Sequence, residues 1–319
     1  MEITPSSYQG TRGRPTWAPD GSKFAAEVER DIVVVSADGQ TTLGTIGPEG
    51  RWNTNPAFSP DGSKIAYASY GRLPGMELPT WSLQVADADG SNPRILNKNL
   101  GWKPEWSPDG SKLAYTGHHE DDERGYFTWV ATPDGNQDYR ITPDHRALET
   151  EHCWDPSGQE VVASGYGDDG RHLMVYDDKG TKERQITFPP GYRTWDQTPD
   201  WSPDGSKIVF EQHWEGGNQL CVVDPYGDKT RPLIDLGVTE YEPVFSPDGQ
   251  WVAFAAGNYT GDLNLYVVKA DGTEVRQLTD RAGDEYLPSW SPDGTRIAFN
   301  TFDSEMNDGV GVVEFDPKG

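Results

Sequence analysis

The sequence predicts an all-β fold, a seven-bladed β-propeller with four antiparallel strands per blade, on the strength of three observations. A phrase of about ten residues recurs seven times, its aromatic falling at Trp17, Phe58, Trp106, Trp154, Trp201, Phe245 and Trp290. Successive aromatics are 41, 48, 48, 47, 44 and 45 residues apart, a period that belongs to repeat architectures. Each unit holds four short apolar runs separated by turn chemistry, which is the content of one propeller blade. With 12 Trp, 14 Tyr and 10 Phe, the chain also has the bulk to fill the spaces between blades.

Within a unit the elements follow in order. The phrase itself, as in Pro56-Ala-Phe-Ser-Pro-Asp-Gly-Ser-Lys-Ile, predicts a first strand, a turn and the start of a second strand. Proline presets φ in that turn, aspartate bonds nearby backbone and glycine takes positive φ. The third strand is an apolar run such as Asp31-Ile-Val-Val-Val, Phe127-Thr-Trp-Val or Leu220-Cys-Val-Val. A second turn, such as Ala88-Asp-Gly or Ala270-Asp-Gly, leads to a fourth strand such as Arg184-Gln-Ile-Thr or Arg276-Gln-Leu-Thr. The seventh unit stops after its third strand, and Glu2-Ile-Thr-Pro at the other end reads as the missing fourth. Pairing of residues 2 to 5 with 310 to 315 would close the ring and remove its open edges, making residues 1–319 one domain.

The repeated aromatic-Ser-Pro-Asp-Gly-Ser-Lys phrase resembles the bacterial TolB-type propeller repeat, also called PD40 or WD40-like, over all seven units. The resemblance is specific for fold and weak for function. Such propellers occur in the periplasmic translocation protein TolB, in prolyl oligopeptidases and in oligogalacturonate lyases. No Gly-x-Ser-x-Gly elbow occurs in the chain, which excludes the peptidase chemistry.

Charge narrows the partners. With 52 Asp and Glu against 27 Lys and Arg, the net charge is −25, which disfavours nucleic acid and anionic lipid. No apolar run reaches the roughly 18 residues that a bilayer requires, so no membrane insertion is expected. As written, without a signal peptide, the chain reads as cytoplasmic, whereas the family resemblance implies the periplasm or the exterior. Cys153 and Cys221 are expected to be buried small hydrophobes, and the protein a monomer without an organic cofactor.

The first strand of each blade should line a central channel, with period-2 alternation deciding which side chains face inward. Three residues before the phrase's opening position the ring reads Arg12, Asn53, Gly101, Glu149, Asp196, Glu240 and Glu285. One residue before it, on the same face, stand Arg14, Asn55, Lys103, Glu151, Thr198, Glu242 and Leu287. Converging carboxylates at Glu149, Asp196, Glu240 and Glu285 would repel, so they should bind a cation, take up protons or pair with arginine; Ca²⁺ suits such oxygen ligands. Trp52, Trp102, Trp195, Trp214 and Tyr286 should feed the same mouth and, with Arg12 and Asn53, form a surface for a protein, peptide or saccharide. These readings describe a non-catalytic binding module. The alternative is a polysaccharide lyase acting by β-elimination on uronate glycans, with His118, His119, His152 or His213 as metal ligand or base and Arg124 assisting. The resemblance to oligogalacturonate lyases, which place a histidine shortly before a blade tryptophan as in His152-Cys-Trp154, points the same way.

Overall fold

The computed structural model describes residues 13–73, 75, 77–97, 101–118, 125–143, 151–167, 170–189, 194–227, 230–258, 261–302 and 308–318. Among the described residues every regular element is a β-strand, and the strands run up and down in chain order. The first sheet is Thr16–Trp17, Lys23–Val28, Asp31–Ser36 and Thr42–Ile46; the second is Trp52–Phe58, Lys64–Gly71, Thr80–Asp87 and Arg94–Asn97. The third comprises Gly101–Trp106, Leu113–Gly117, Phe127–Ala131 and Asp138–Arg140. An eight-stranded sheet follows, made of two antiparallel quartets. These are Glu151–Trp154, Glu160–Gly167, Gly170–Asp177 and Glu183–Gln185, then Trp195–Trp201, Ile208–Trp214, Gly217–Val223 and Arg231–Pro232. The quartets are joined by one parallel bridge between Arg171 and Trp195. Thr239–Phe245, Trp251–Asn258, Gly261–Lys269 and Val275–Gln277 form the next sheet, and Asp284–Trp290, Arg296–Phe302 and Asp308–Glu314 the last.

The repeated phrase earns its recurrence at the turn. Ser59 Oγ donates to Asp61 Oδ1 at 2.6 Å, Ser63 N–H donates to the same oxygen at 3.0 Å, and Lys64 N–H donates back to Ser59 Oγ at 2.9 Å. The set recurs around Asp109 and Asp204. Gly62 is favoured by its φ of 70°, and the turn packs against its neighbour, with Pro19 Cδ 3.4 Å from where a Cβ would stand. Gly110 sits likewise against Pro60 and, across the ends of the chain, Gly21 against Pro292. The turns of neighbouring sheets therefore nest at one end of the molecule.

Between sheets the core is apolar and continuous, as where Val209, Leu220 and Val222 meet Val252, Phe254 and Phe245. The repeated tryptophan adds a directional link. The indole N–H of Trp106 donates to Ala57 O at 2.9 Å, that of Trp154 to Glu105 O at 3.1 Å and that of Trp290 to Val244 O at 3.2 Å. Trp17 makes the same bond to Ser289 O at 3.0 Å, and Arg296 Nη1 donates to Ala37 O at 3.0 Å, so the first and last sheets touch. Residues 2 to 5, expected to complete the last sheet, lie outside the described residues. Cys153 and Cys221 are free and buried.

Candidate functional site

The first strands do not keep a two-residue alternation. In five of them the pairing with the second strand shifts, between Thr54 and Ala57, opposite Ala114 and Thr116, and between Gln197 and Asp200, Tyr241 and Val244, and Tyr286 and Ser289. The residue before the proline is left-handed in each: Asn55, Lys103, Thr198, Glu242 and Leu287, with φ from 49° to 55°. Such a bulge sets two residues opposite one and re-aims the side chains on either side of it.

This corrects the expectation that residues three and one before the proline share a face. Asn53, Asp196, Glu240 and Glu285 are buried, and the first three hold neighbouring segments together. Asp196 Oδ1 accepts from Gln212 Nε2 at 3.0 Å and the carboxylate also bonds the Thr187 hydroxyl, whose oxygen accepts Leu173 N–H at 2.9 Å. Glu285 stands near Thr279, which accepts Leu265 N–H at 2.9 Å, but both of its carboxylate oxygens are buried without a hydrogen-bond partner among the described residues. Glu240 takes two backbone N–H groups directly, Leu220 at 2.9 Å and Leu236 at 3.0 Å. Burial pushes Asp196 up to about 6 and raises Glu240 and Glu285 as well. Asn53 Nδ2 donates to Pro48 O at 3.2 Å. Glu149 and Arg12 lie outside the described residues. Among the described residues no three His, Cys, Asp or Glu side chains are grouped to hold a metal ion.

The groups that do converge stand next to the proline on either side. Arg14 Nη2 reaches Glu242 O at 3.5 Å, Lys103 pairs with Glu151, and Glu242 Oε2 accepts Leu287 N–H at 2.6 Å. Glu211, from the second strand Ile208–Trp214, accepts Glu242 N–H. One position after the proline, Glu105 accepts Trp154 N–H at 3.2 Å and Asp200 accepts Phe245 N–H at 2.7 Å, each binding the adjoining sheet. Burial drives Glu105 up to about 8, with the charge of Asp200 adding to it. Asp200 is raised to about 6 by burial, and Glu242 to about 7 by burial and then by Glu211. Arg14 opposes the shift at Glu105, Asp200 and Glu242 alike, which places one guanidinium among carboxylates from three other sheets. Five acids, Glu105, Glu151, Asp200, Glu211 and Glu242, thus share two cations, Arg14 and Lys103. The ring containing Arg14, Lys103, Glu151 and Glu242 was legible in the repeat. Glu105, Asp200 and Glu211 were missed because the alternation pointed away from them.

The aromatics divide. Trp52 is half-buried with its indole N–H on Glu27 Oε1 at 2.9 Å and its ring 5.5 Å from that of Trp81. Trp102 lies 4.5 Å from Tyr126, Trp195 stacks on His213 at 3.6 Å and 15°, and Trp214 is 52% exposed. Tyr286 is corrected from ligand surface to core: it is buried beside Trp290 and Phe299. The histidines stand in three strand groups with local partners. His213 Nδ1 bonds Asn218 Oδ1 at 2.6 Å, His118 lies 5.9 Å from Tyr126, and His152 Nδ1 is 3.5 Å from Thr116 Oγ1. Burial holds His152 down at about 4, a neutral imidazole. His119 and Arg124 lie outside the described residues.

Antiparallel up-and-down sheets packed side by side, with their first strands turned toward a shared polar interior, define a β-propeller. Residues 74–239 match the TolB beta propeller domain family, over half the chain, and the chain belongs to that family. Its structure is similar to TolB from Acinetobacter baumannii at 19% identity and a TM-score of 0.61, over 89% of this chain and 67% of that one. It is also similar to oligogalacturonate lyase from Vibrio parahaemolyticus at 14% identity and a TM-score of 0.71, over 99% and 93%. The β-propeller domain of the Trilobed protease from Pyrococcus furiosus, described as having an open velcro topology, matches at 14% identity and 0.68, over 97% of each. At these identities the likeness is one of fold. No curated protein matches the sequence significantly.

Proposed function

We propose that the protein is a non-catalytic TolB-like binding module, a seven-bladed propeller whose central mouth docks a protein or peptide through a basic group. The observation that supports this is the imbalance around Arg14: five carboxylates share two cations, and burial raises Glu105 to about 8 and Glu242 to about 7. A lysine or arginine entering the cluster replaces the protons that these two hold, so docking is accompanied by proton release. Calorimetry with a Lys-Arg hexapeptide at pH 7, in buffers of different ionisation enthalpy, is expected to give saturable binding that releases protons. Glu105→Gln with Glu242→Gln should weaken it by about tenfold or more. Binding that is absent, or equal in the double variant, would overturn the reading. A Ca²⁺ ion could enter the same cluster only if its carboxylates drew closer together, since no three of them are grouped for a metal as they stand. If it does, Ca²⁺ raises the Tm of EDTA-stripped protein saturably, and the double variant loses the effect.

A lyase reading draws support from His152, whose neutral imidazole lies beside the Lys103–Glu151 pair and could accept a proton. Ultraviolet absorbance from unsaturated uronate ends on incubation with pectic polymers would favour it, and His152→Ala should then abolish the signal.

A further inference from the structure

At the end of the molecule where the turns nest, one repeat departs from the others. Six of the seven phrases carry aspartate after the turn proline, and in five of these a base stands three residues on: Lys23, Lys64, Lys112, Lys207 and Arg296. After Asp248 that place is taken by Trp251. Three of the bases cross to the turn that follows the third strand of the next sheet. Lys112 pairs with Asp178, Lys207 Nζ donates to Ala270 O at 3.3 Å, and Arg296 Nη1 donates to Ala37 O at 3.0 Å. Trp251 packs instead, meeting the ring of Phe315 edge to face at 5.2 Å. The crossing bond then comes from Arg276 in the fourth strand, which donates to Asp316 O at 2.8 Å while lying 4.6 Å from the Trp251 centroid.

Between these two turns is a cleft of about 310 Å³, walled by Pro247, Pro292, Trp251 and Phe315, with the exposed Asp248 and Asp293 beside them. The two carboxylates differ in what they already hold. Asp293 Oδ1 accepts Ser291 Oγ, Thr295 N–H and Thr295 Oγ1, and its other oxygen lies 3.9 Å from Arg296 Nη2. Asp248 Oδ1 accepts Ser246 Oγ at 2.6 Å and Gln250 N–H at 3.0 Å, and among the described residues no cation is ion-paired with it. In other turns the aspartate feels the base three residues on, Lys23 at Asp20, Lys112 at Asp109 and Lys207 at Asp204. Lys269 and Arg276, the cations over the Trp251 ring, are both paired with Glu274. The cleft therefore joins apolar walls to a carboxylate that lacks the cation its counterparts receive from their own chain. An anion would be repelled by both aspartates, and a neutral ligand would gain nothing from Asp248. A space of this size is at the small end of ligand sites, with room for one ring on a short chain. Proline and aromatic side chains pack readily against each other, as in the recognition of proline-rich peptides by aromatic grooves.

We propose that this cleft binds an arylalkyl ammonium ion, with the ring against the prolines and the charge on Asp248. The site lies on the turns, separate from the central mouth, and does not depend on the reading given for it. The probe is phenethylammonium, titrated into the full chain at pH 7 and followed by the NMR signals of the Trp251 indole and the Gly249 and Gly294 amides. Those signals are expected to shift saturably. Butylammonium, which has the charge without the ring, and phenylacetate, which has the ring with the opposite charge, should each bind at least about tenfold more weakly. Asp248→Asn changes an exposed side chain and keeps its Oδ1 acceptor, so it should leave the Tm in place and weaken phenethylammonium by about tenfold. Trp251→Lys restores the base of the other repeats, placing an ammonium of the chain's own beside Asp248, and should abolish the shifts. Glu105→Gln with Glu242→Gln should leave the titration unchanged, which separates this site from the central one. Signals that do not saturate, a butylammonium or phenylacetate that binds as tightly, or an Asp248→Asn variant that binds like the parent would each overturn the proposal.

Discussion

Two populations of carboxylate respond to pH in opposite directions. In the turns, Asp61, Asp109 and Asp204 are held down at about 2, first by a serine hydroxyl and then by backbone N–H groups. Their contribution is present above the ordinary value of 3.8 and is lost as pH falls toward 2. Glu105 behaves in reverse. Its folded value of about 8 lies above the ordinary 4.5, so the stability it contributes is complete below pH 4.5 and is lost as pH rises to about 8. Glu105→Gln is therefore expected to raise stability at pH 9 by on the order of 2 kcal/mol, since the amide avoids burying a charge and still accepts Trp154 N–H. At pH 5, where the native acid is already neutral, the gain should vanish. Urea unfolding at both values checks this, and an equal gain at both would contradict it. The turn aspartates could be found in the repeat because their chemistry is local. Glu105 could not, since its pKa depends on Asp200 and Arg14, more than 90 residues away on either side.

At the level of the strand, the repeat located the elements and misdirected the side chains. Third strands such as Leu220-Cys-Val-Val fell where their branched residues put them, within Gly217–Val223. The first strands failed in one respect, the bulge before the proline. The residue preceding proline is normally extended, and that rule supports unbroken alternation. A different property of proline held the signal: lacking an N–H, it breaks a ladder, and within sheets it belongs at edges or bulges. Where His152 replaces it, pairing runs without a shift from Glu151 to Trp154. Three of the carboxylates that alternation assembled into a calcium site, Asp196, Glu240 and Glu285, therefore sit buried in separate surroundings, with Glu240 bonded across to Leu220 of the preceding sheet. The bulge also places a β-branched residue, Thr198, at φ 49°. Thr198→Asn should stabilise the fold by about 1 kcal/mol, because asparagine tolerates the left-handed region and threonine does not. A change of the opposite sign in the urea midpoint, with the m-value unchanged, would mean that the threonine side chain contributes more than its backbone strain removes.

For the whole molecule, side chains hold the first sheet against the last. Trp17 reaches Ser289, Arg296 reaches Ala37 and lies 5.3 Å from the Trp17 ring, and Asn300 Nδ2 donates to Gly13 O at 3.0 Å. These are contacts between side chains and carbonyls, of the kind that Trp106, Trp154 and Trp290 also make to the sheet before their own. The last sheet has three described strands where its neighbours have four, which leaves the outer edge of Asp308–Glu314 available to a further strand. Glu2-Ile-Thr-Pro has the pattern of Arg140-Ile-Thr-Pro, and Thr142 in that sequence bonds the third strand of its own sheet at Thr128 N–H, 3.2 Å away. If Thr4 plays the same part, the segment adds ladder bonds and a side-chain bond that the Trp17 and Arg296 contacts do not supply. Removing residues 1 to 6 should then lower Tm by several degrees and raise hydrogen exchange first in Asp308–Glu314 and next in Arg296–Phe302. The order of exchange carries the test, since general destabilisation would loosen all the sheets together. An unchanged Tm, with Asp308–Glu314 as protected as before, would mean that the contacts around Trp17 hold the first and last sheets together without a strand from the other end of the chain.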